Sequence, residues 1–201
     1  MDFGASEPAG TNPGPVGAGV FLHRNFLAPL AMARVLGALD RLSSSWASST
    51  SMRLLGRGRT SQIRSSDIAA QSPLDDIRNT LAPSVLEWAR RCGLPLPASP
   101  RLQLFPVRMD GDAESPAYQE PHVDSNGSEP IPPICTNVFY AVANTTVGGE
   151  LAVAARGGAD LVDPILISPS PNLLASFPGD RVHAVRPLYA GERLSVVVNF
   201  Y

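Results

Sequence analysis

At 201 residues, with a hydrophobic fraction of 44% and a charged fraction of 17%, the chain has the makeup of one globular unit able to bury a sizeable core. A net charge of −2 gives no global pull toward nucleic acid or an anionic membrane, and all 16 basic residues are arginine, which excludes Schiff-base and P-loop lysine chemistry. No stretch has the pattern of a signal peptide or the length of a membrane span, so the expected compartment is the cytoplasm, with Cys92 and Cys135 as free thiols.

Residues 1–19, rich in Gly, Pro and small side chains, read as a flexible tail, and 20–201 as the folded domain. Val20 to Phe26 forms a first candidate strand. Pro29 opens a helix through about Arg41, with Leu30, Val35, Leu36, Leu39 and Leu42 at near-helical spacing. In the serine-rich loop that follows, Trp46 is either part of a lid or a packing residue. Arg53, Arg57, Arg59 and Arg64 then form either a solvated loop or a basic patch for an anionic substrate or a carrier protein's arm.

Ser72 as cap and Pro73 at the first position open a second helical region, interrupted near Pro83 and stopped at Gly93, with Trp88 as core. From Arg101 onward, short apolar runs broken by Pro, Gly, Asn and Asp predict strands at 102–109, 119–124, 135–143, 149–154, 161–167, 172–177, 182–187 and 193–200. Helices first and about eight short strands after them predict a mainly β fold with flanking helices: a double-sheet jelly roll with helices on one face.

Of the three histidines, His23 lacks a nearby ligand partner and reads as structural. His122 and Asp124 stand two apart, so on a strand they share a face, and His183 can join them from a distant strand. Two imidazoles and one carboxylate on one side of a metal, with the remaining positions open, form the facial triad suited to non-haem Fe(II). Arg193 supplies a fixed cation where a dicarboxylate would need one. The His-x-Asp triplet alone is weak; it gains specificity from His183 and the Gly-Glu-Arg-Leu-Ser run after it.

PHVDS at 121–125, GGEL at 148–151 and FPGDRVHAVRPLYAGERLSVVVNFY at 177–201 resemble the Fe(II)/2-oxoglutarate-dependent dioxygenases, most closely the prolyl 4-hydroxylase type. Arg59-Thr60-Ser61 and the run Leu102 to Val107 extend the resemblance over roughly residues 20–201. It implies a double-stranded β-helix (jelly roll, cupin-like) core, with Fe(II) held by His122, Asp124 and His183 as the catalytic centre. It also implies 2-oxoglutarate as cosubstrate, paired through its distal carboxylate with Arg193. Ser195, on the same strand face, with Thr136 and Tyr118 would complete the cosubstrate contacts. Met109 departs from the pattern, standing about where the family has a tyrosine. Thr136 as an inward residue carries Val138 and Tyr140 with it, leaving Asn137 and Phe139 for the exterior.

The implied reaction uses dioxygen and converts 2-oxoglutarate to succinate and carbon dioxide while hydroxylating an unactivated C–H bond. Asp124 favours hydroxylation over halogenation, since related halogenases have a small residue there. A small molecule is the expected substrate, first a cyclic amino acid such as proline, free or within a biosynthetic peptide or carrier-bound intermediate. A peptidyl-prolyl hydroxylase acting on a protein, or a non-catalytic metal-binding jelly-roll module, are the alternatives. No nucleic-acid or membrane partner is expected.

Overall fold

A computed structural model describes residues 15–42, 56–57, 59–62, 73–125 and 131–201. Most of the 1–19 tail, Trp46, Arg53, Arg64 and the expected cap Ser72 lie outside them, as do the side chains of Arg57 and Arg59. The elements run β1 (Phe21–Arg24), α1 (Pro29–Arg41), β2 (Gly56–Arg57), β3 (Arg59–Gln62), α2 (Pro73–Arg91), β4 (Leu102–Asp110), β5 (Ala117–His122), β6 (Cys135–Gly148), β7 (Leu151–Val153), β8 (Ile165–Ile167), β9 (Leu173–Pro178) and β10 (His183–Phe200).

The sheet curls into a jelly roll whose two layers share β10. Residues 183–185 of β10 lie between β7 and β5, with β8 and β2 beyond them. Residues 192–200 lie between β6 and β4, in the order β1-β9-β6-β10-β4-β3. The expected separate strands 182–187 and 193–200 are therefore one. Bulges near Leu188 and Ala190 turn the chain, and pairing of Leu188 and Ala190 with β6 carries the ladder through the corner. Gly148 makes that corner possible. It has φ +82°, and a Cβ there would stand 2.0 Å from the carbonyl oxygen of Pro187.

Alternation along β10 divides the interior. Leu194, Val196, Val198 and Phe200 point to one side, where they join Phe139, Leu174 and the buried faces of α1 and α2. Arg193, Ser195 and Val197 point the other way, into the roll. The helices thus cover one face of the larger layer. Asn137 and Phe139, expected at the exterior, are fully buried beneath them. Asn137 is satisfied there, donating to the Val198 carbonyl at 2.9 Å and accepting from Ser176 Oγ at 2.7 Å.

The first helix has the expected bounds, with Pro29 at its start, but Leu30 and Leu36 are exposed while Val35, Ala38 and Leu39 are buried. The second helix runs through Pro83 without interruption. Proline at that position removes one backbone donor, at a cost of about 3 kcal/mol. Leu81, Val85, Trp88 and Ala89 are buried on both sides of it and offset that cost. His23 packs edge-on against Trp88, ring centroids 4.6 Å apart, away from the other two histidines.

Candidate metal centre

Strand pairing brings the two site histidines together directly: His183 on β10 is the cross-strand partner of His122 on β5. Their ring centroids are 4.4 Å apart, and the edge of Phe177 backs His183 at 5.2 Å. Asp124 lies two residues past the end of β5, which stops at His122 and not at 124 as expected. Its Oδ1 still comes within 3.6 Å of His122 Nε2 and 3.8 Å of His183 Nε2.

Each ring is oriented by a backbone carbonyl two residues before it. His122 Nδ1 lies 2.7 Å from the Glu120 oxygen, and His183 Nδ1 lies 3.0 Å from the Arg181 oxygen. A carbonyl only accepts, so both Nδ1 atoms carry the hydrogen and both Nε2 lone pairs are directed at one point. The three ligand atoms all lie within 4.8 Å of one another. Three donors sharing one face of a cation at roughly 2.0–2.2 Å from each stand about 3 Å apart. The 3.6 and 3.8 Å separations of Asp124 Oδ1 from the two Nε2 atoms are within about 1 Å of that, so a bound ion would draw the set together. Imidazole and carboxylate donors suit a borderline ion such as Fe(II).

Electrostatics agree with that chemistry. Burial disfavours the Asp124 carboxylate, but the neighbouring His122 and His183 imidazoles and a hydrogen bond from Asn199 outweigh it and hold its pKa at about 2. Burial also works against charge on His122, yet Asp124 pushes that pKa up, whereas burial prevails at His183 and pushes it down.

One cavity takes in the triad together with Thr136, Arg193 and Ser195. Arg193 is 3% exposed and has no acidic partner among the described residues. Its guanidinium lies 5.1 Å over the ring of Tyr140, and Nη1 meets Met109 Sδ at 3.4 Å. Arg193 Nε, Tyr140 Oη and Thr136 Oγ1 are all buried without a hydrogen-bond partner. Burial raises the Tyr140 pKa, so this phenol remains a donor. A buried cation surrounded by unused donors is costly unless an anion completes it, and a carboxylate fits these donors.

Tyr118 is not among the residues lining this cavity; Gln119 is. Three residues of β10, His183 to Val185, face four of β5, Gln119 to His122, so β5 bulges at Glu120-Pro121. The extra residue reverses the alternation and puts Gln119 and His122 on one side. Three further residues were not assigned from sequence: Tyr140, Gln119 and Asn199. The face shared by Thr136 and Tyr140 was the one available signal. A cleft of about 640 Å³ between the helices, lined by Arg34, Arg41 and Asp76, brings together no comparable ligand set.

No family model matches the sequence, and no curated protein is significantly similar to it. Solved structures are similar in fold. A prolyl-4-hydroxylase of Pseudomonas putida has a TM-score of 0.60 at 20% identity, over 90% of this chain and 91% of that one. A Trichoplax adhaerens prolyl hydroxylase in complex with a hypoxia-inducible-factor peptide fragment has a TM-score of 0.63 at 16% identity, over 92% and 84%. SnoN, a non-haem α-ketoglutarate-dependent epimerase from nogalamycin biosynthesis, has a TM-score of 0.62 at 14% identity, over 90% and 78%.

Proposed function

We propose that the protein is an Fe(II)- and 2-oxoglutarate-dependent dioxygenase that hydroxylates an unactivated C–H bond. The observation that carries this reading is Arg193, a buried cation without an acidic partner among the described residues, opening into the same cavity as the His122, Asp124 and His183 ligand set. A structural metal site has no need of such a cation. His122, Asp124 and His183 would hold the iron, which with 2-oxoglutarate and dioxygen supplies oxidative decarboxylation and C–H hydroxylation. Arg193, Tyr140 and Thr136 would donate to the distal carboxylate of the cosubstrate. Ser195 lies beside them on the inward row of β10, and Tyr118 is left without a cosubstrate role. Phe105, Val107, Val138, Leu151 and Val185 make the rest of the cavity wall largely apolar and limit water around the reacting centre.

The proposed substrate is a small molecule, first a cyclic amino acid such as proline, free or in a biosynthetic peptide or carrier-bound intermediate. Peptidyl hydroxylation is the second reading, favoured by the similarity to a prolyl hydroxylase solved with a peptide. The test is succinate formation from 2-oxoglutarate in air with Fe(II), screened over amino acids, peptides and carrier-bound amino acids, with mass spectrometry for one added oxygen. His122→Ala should abolish turnover. Arg193→Ala should raise the 2-oxoglutarate Kd about 100-fold while Fe(II) binding persists, as expected for removing one partner of a buried charge pair. Unchanged 2-oxoglutarate affinity in Arg193→Ala would rule out its role, and no succinate from any substrate would leave a metal-binding jelly-roll module.

A further inference from the structure

A file of polar side chains leads from Asp124 toward the surface. Asn199 Nδ2 stands 3.0 Å from Asp124 Oδ2 and 3.4 Å from Gln103 Oε1. Tyr201 Oη donates to the same Gln103 oxygen at 3.0 Å, and the Arg101 guanidinium lies 5.1 Å over the Tyr201 ring. Asn199 and Gln103 are direct cross-strand partners on β10 and β4, so the contact follows from register and not from a chance rotamer.

Asn199 is fully buried on a strand whose neighbours Val196, Val197, Val198 and Phe200 are apolar. A buried amide is costly unless its polar atoms are used. Only one of them is: Nδ2 serves two acceptors, while Oδ1 is buried without a partner. Reversing the amide would set its oxygen against the Asp124 carboxylate and the Gln103 carbonyl, so the donor must face Asp124. The two Asp124 oxygens thereby become unlike. Oδ2 is engaged by Asn199, and Oδ1 is the atom 3.6 and 3.8 Å from the imidazole Nε2 atoms.

We infer that Asn199 is a positioning residue that restrains Asp124 to ligate the metal through Oδ1 alone, with Gln103 and Tyr201 fixing the Asn199 amide. One-oxygen ligation leaves the coordination positions opposite the triad open, whereas a carboxylate free to chelate with both oxygens would fill one of them. This rests on the triad being a metal site, as proposed above.

The test uses Co(II), whose visible absorption reports coordination number, on the full-length protein without cosubstrate. Asn199→Leu keeps the shape and removes the donor. It should weaken Co(II) binding about 10- to 100-fold and change the intensity of the visible bands, with the Tm of the metal-free protein not reduced. Gln103→Leu should weaken binding less and in the same direction. The double variant should bind no worse than Asn199→Leu, because the two residues act in series. Wild-type affinity and spectrum in Asn199→Leu, or additive losses in the double variant, would overturn the inference. Should Asn199→Leu fail to fold, an unchanged Co(II) affinity and spectrum in Gln103→Leu, at a half-exposed site, would overturn it as well. Absence of Co(II) binding by the wild type would instead overturn the metal-site reading beneath it.

Discussion

Three lone pairs converge at the centre of the triad: Nε2 of His122, Nε2 of His183 and Oδ1 of Asp124. A proton or a metal must separate them. In the metal-free protein that proton belongs on His122, whose pKa Asp124 raises despite burial, and not on His183, whose pKa burial lowers. Asp124, at about 2, stays ionised throughout the neutral range. Below that raised pKa, metal must therefore displace a proton from His122. Apparent Co(II) affinity should fall as pH is lowered, by up to about tenfold per pH unit below the raised His122 pKa, with about one proton released per metal. Calorimetry in buffers of different ionisation enthalpy measures that release. An affinity independent of pH between about 6 and 8, with no proton released, would show that the triad is not the binding site.

At the level of the element, α2 invites a direct check. Pro83→Ala restores a backbone donor within a continuous helix and should raise stability by as much as about 3 kcal/mol in urea unfolding; a loss would mean that the proline ring itself is packed in place. The same helix shows what the sequence could and could not convey. Its ends were legible, because Pro73 and Gly93 are local signals, whereas its continuity depends on Leu81, Val85 and Trp88 finding a sheet to cover. The strands were legible as apolar runs, but their partners were not. The two halves of β10 read as separate strands because the corner that joins them is held by β6. The triad and Arg193 could be named because their residue types are informative alone. Tyr118 was named from the family resemblance, which carries no information on the one-residue bulge near Pro121 that inverts the alternation between it and His122. Asn199 was invisible, since its meaning comes only from contact with Asp124 and Gln103.

Across the whole molecule, the site draws β5, β6, β10 and the segment after β5 into one cavity. Ligand binding to it should therefore stabilise the entire fold. Metal at 100 times its Kd adds about 2.7 kcal/mol, which for a chain of this size raises Tm by roughly 5–10 °C and is reversed by EDTA. Arg193→Ala should keep that increment and lose any further rise given by 2-oxoglutarate; a full 2-oxoglutarate increment in the variant would place the cosubstrate elsewhere. The long β10 ribbon has a different consequence. His183, Arg193 and Asn199 hang on one thread, so a slip of a single residue along β4 and β6 would turn Arg193 and Asn199 under the helices together. Such a centre does not decay by degrees. On refolding, the Co(II) colour should return in a single phase, together with the near-ultraviolet signal of Trp88, and no earlier collapsed state should bind the ion.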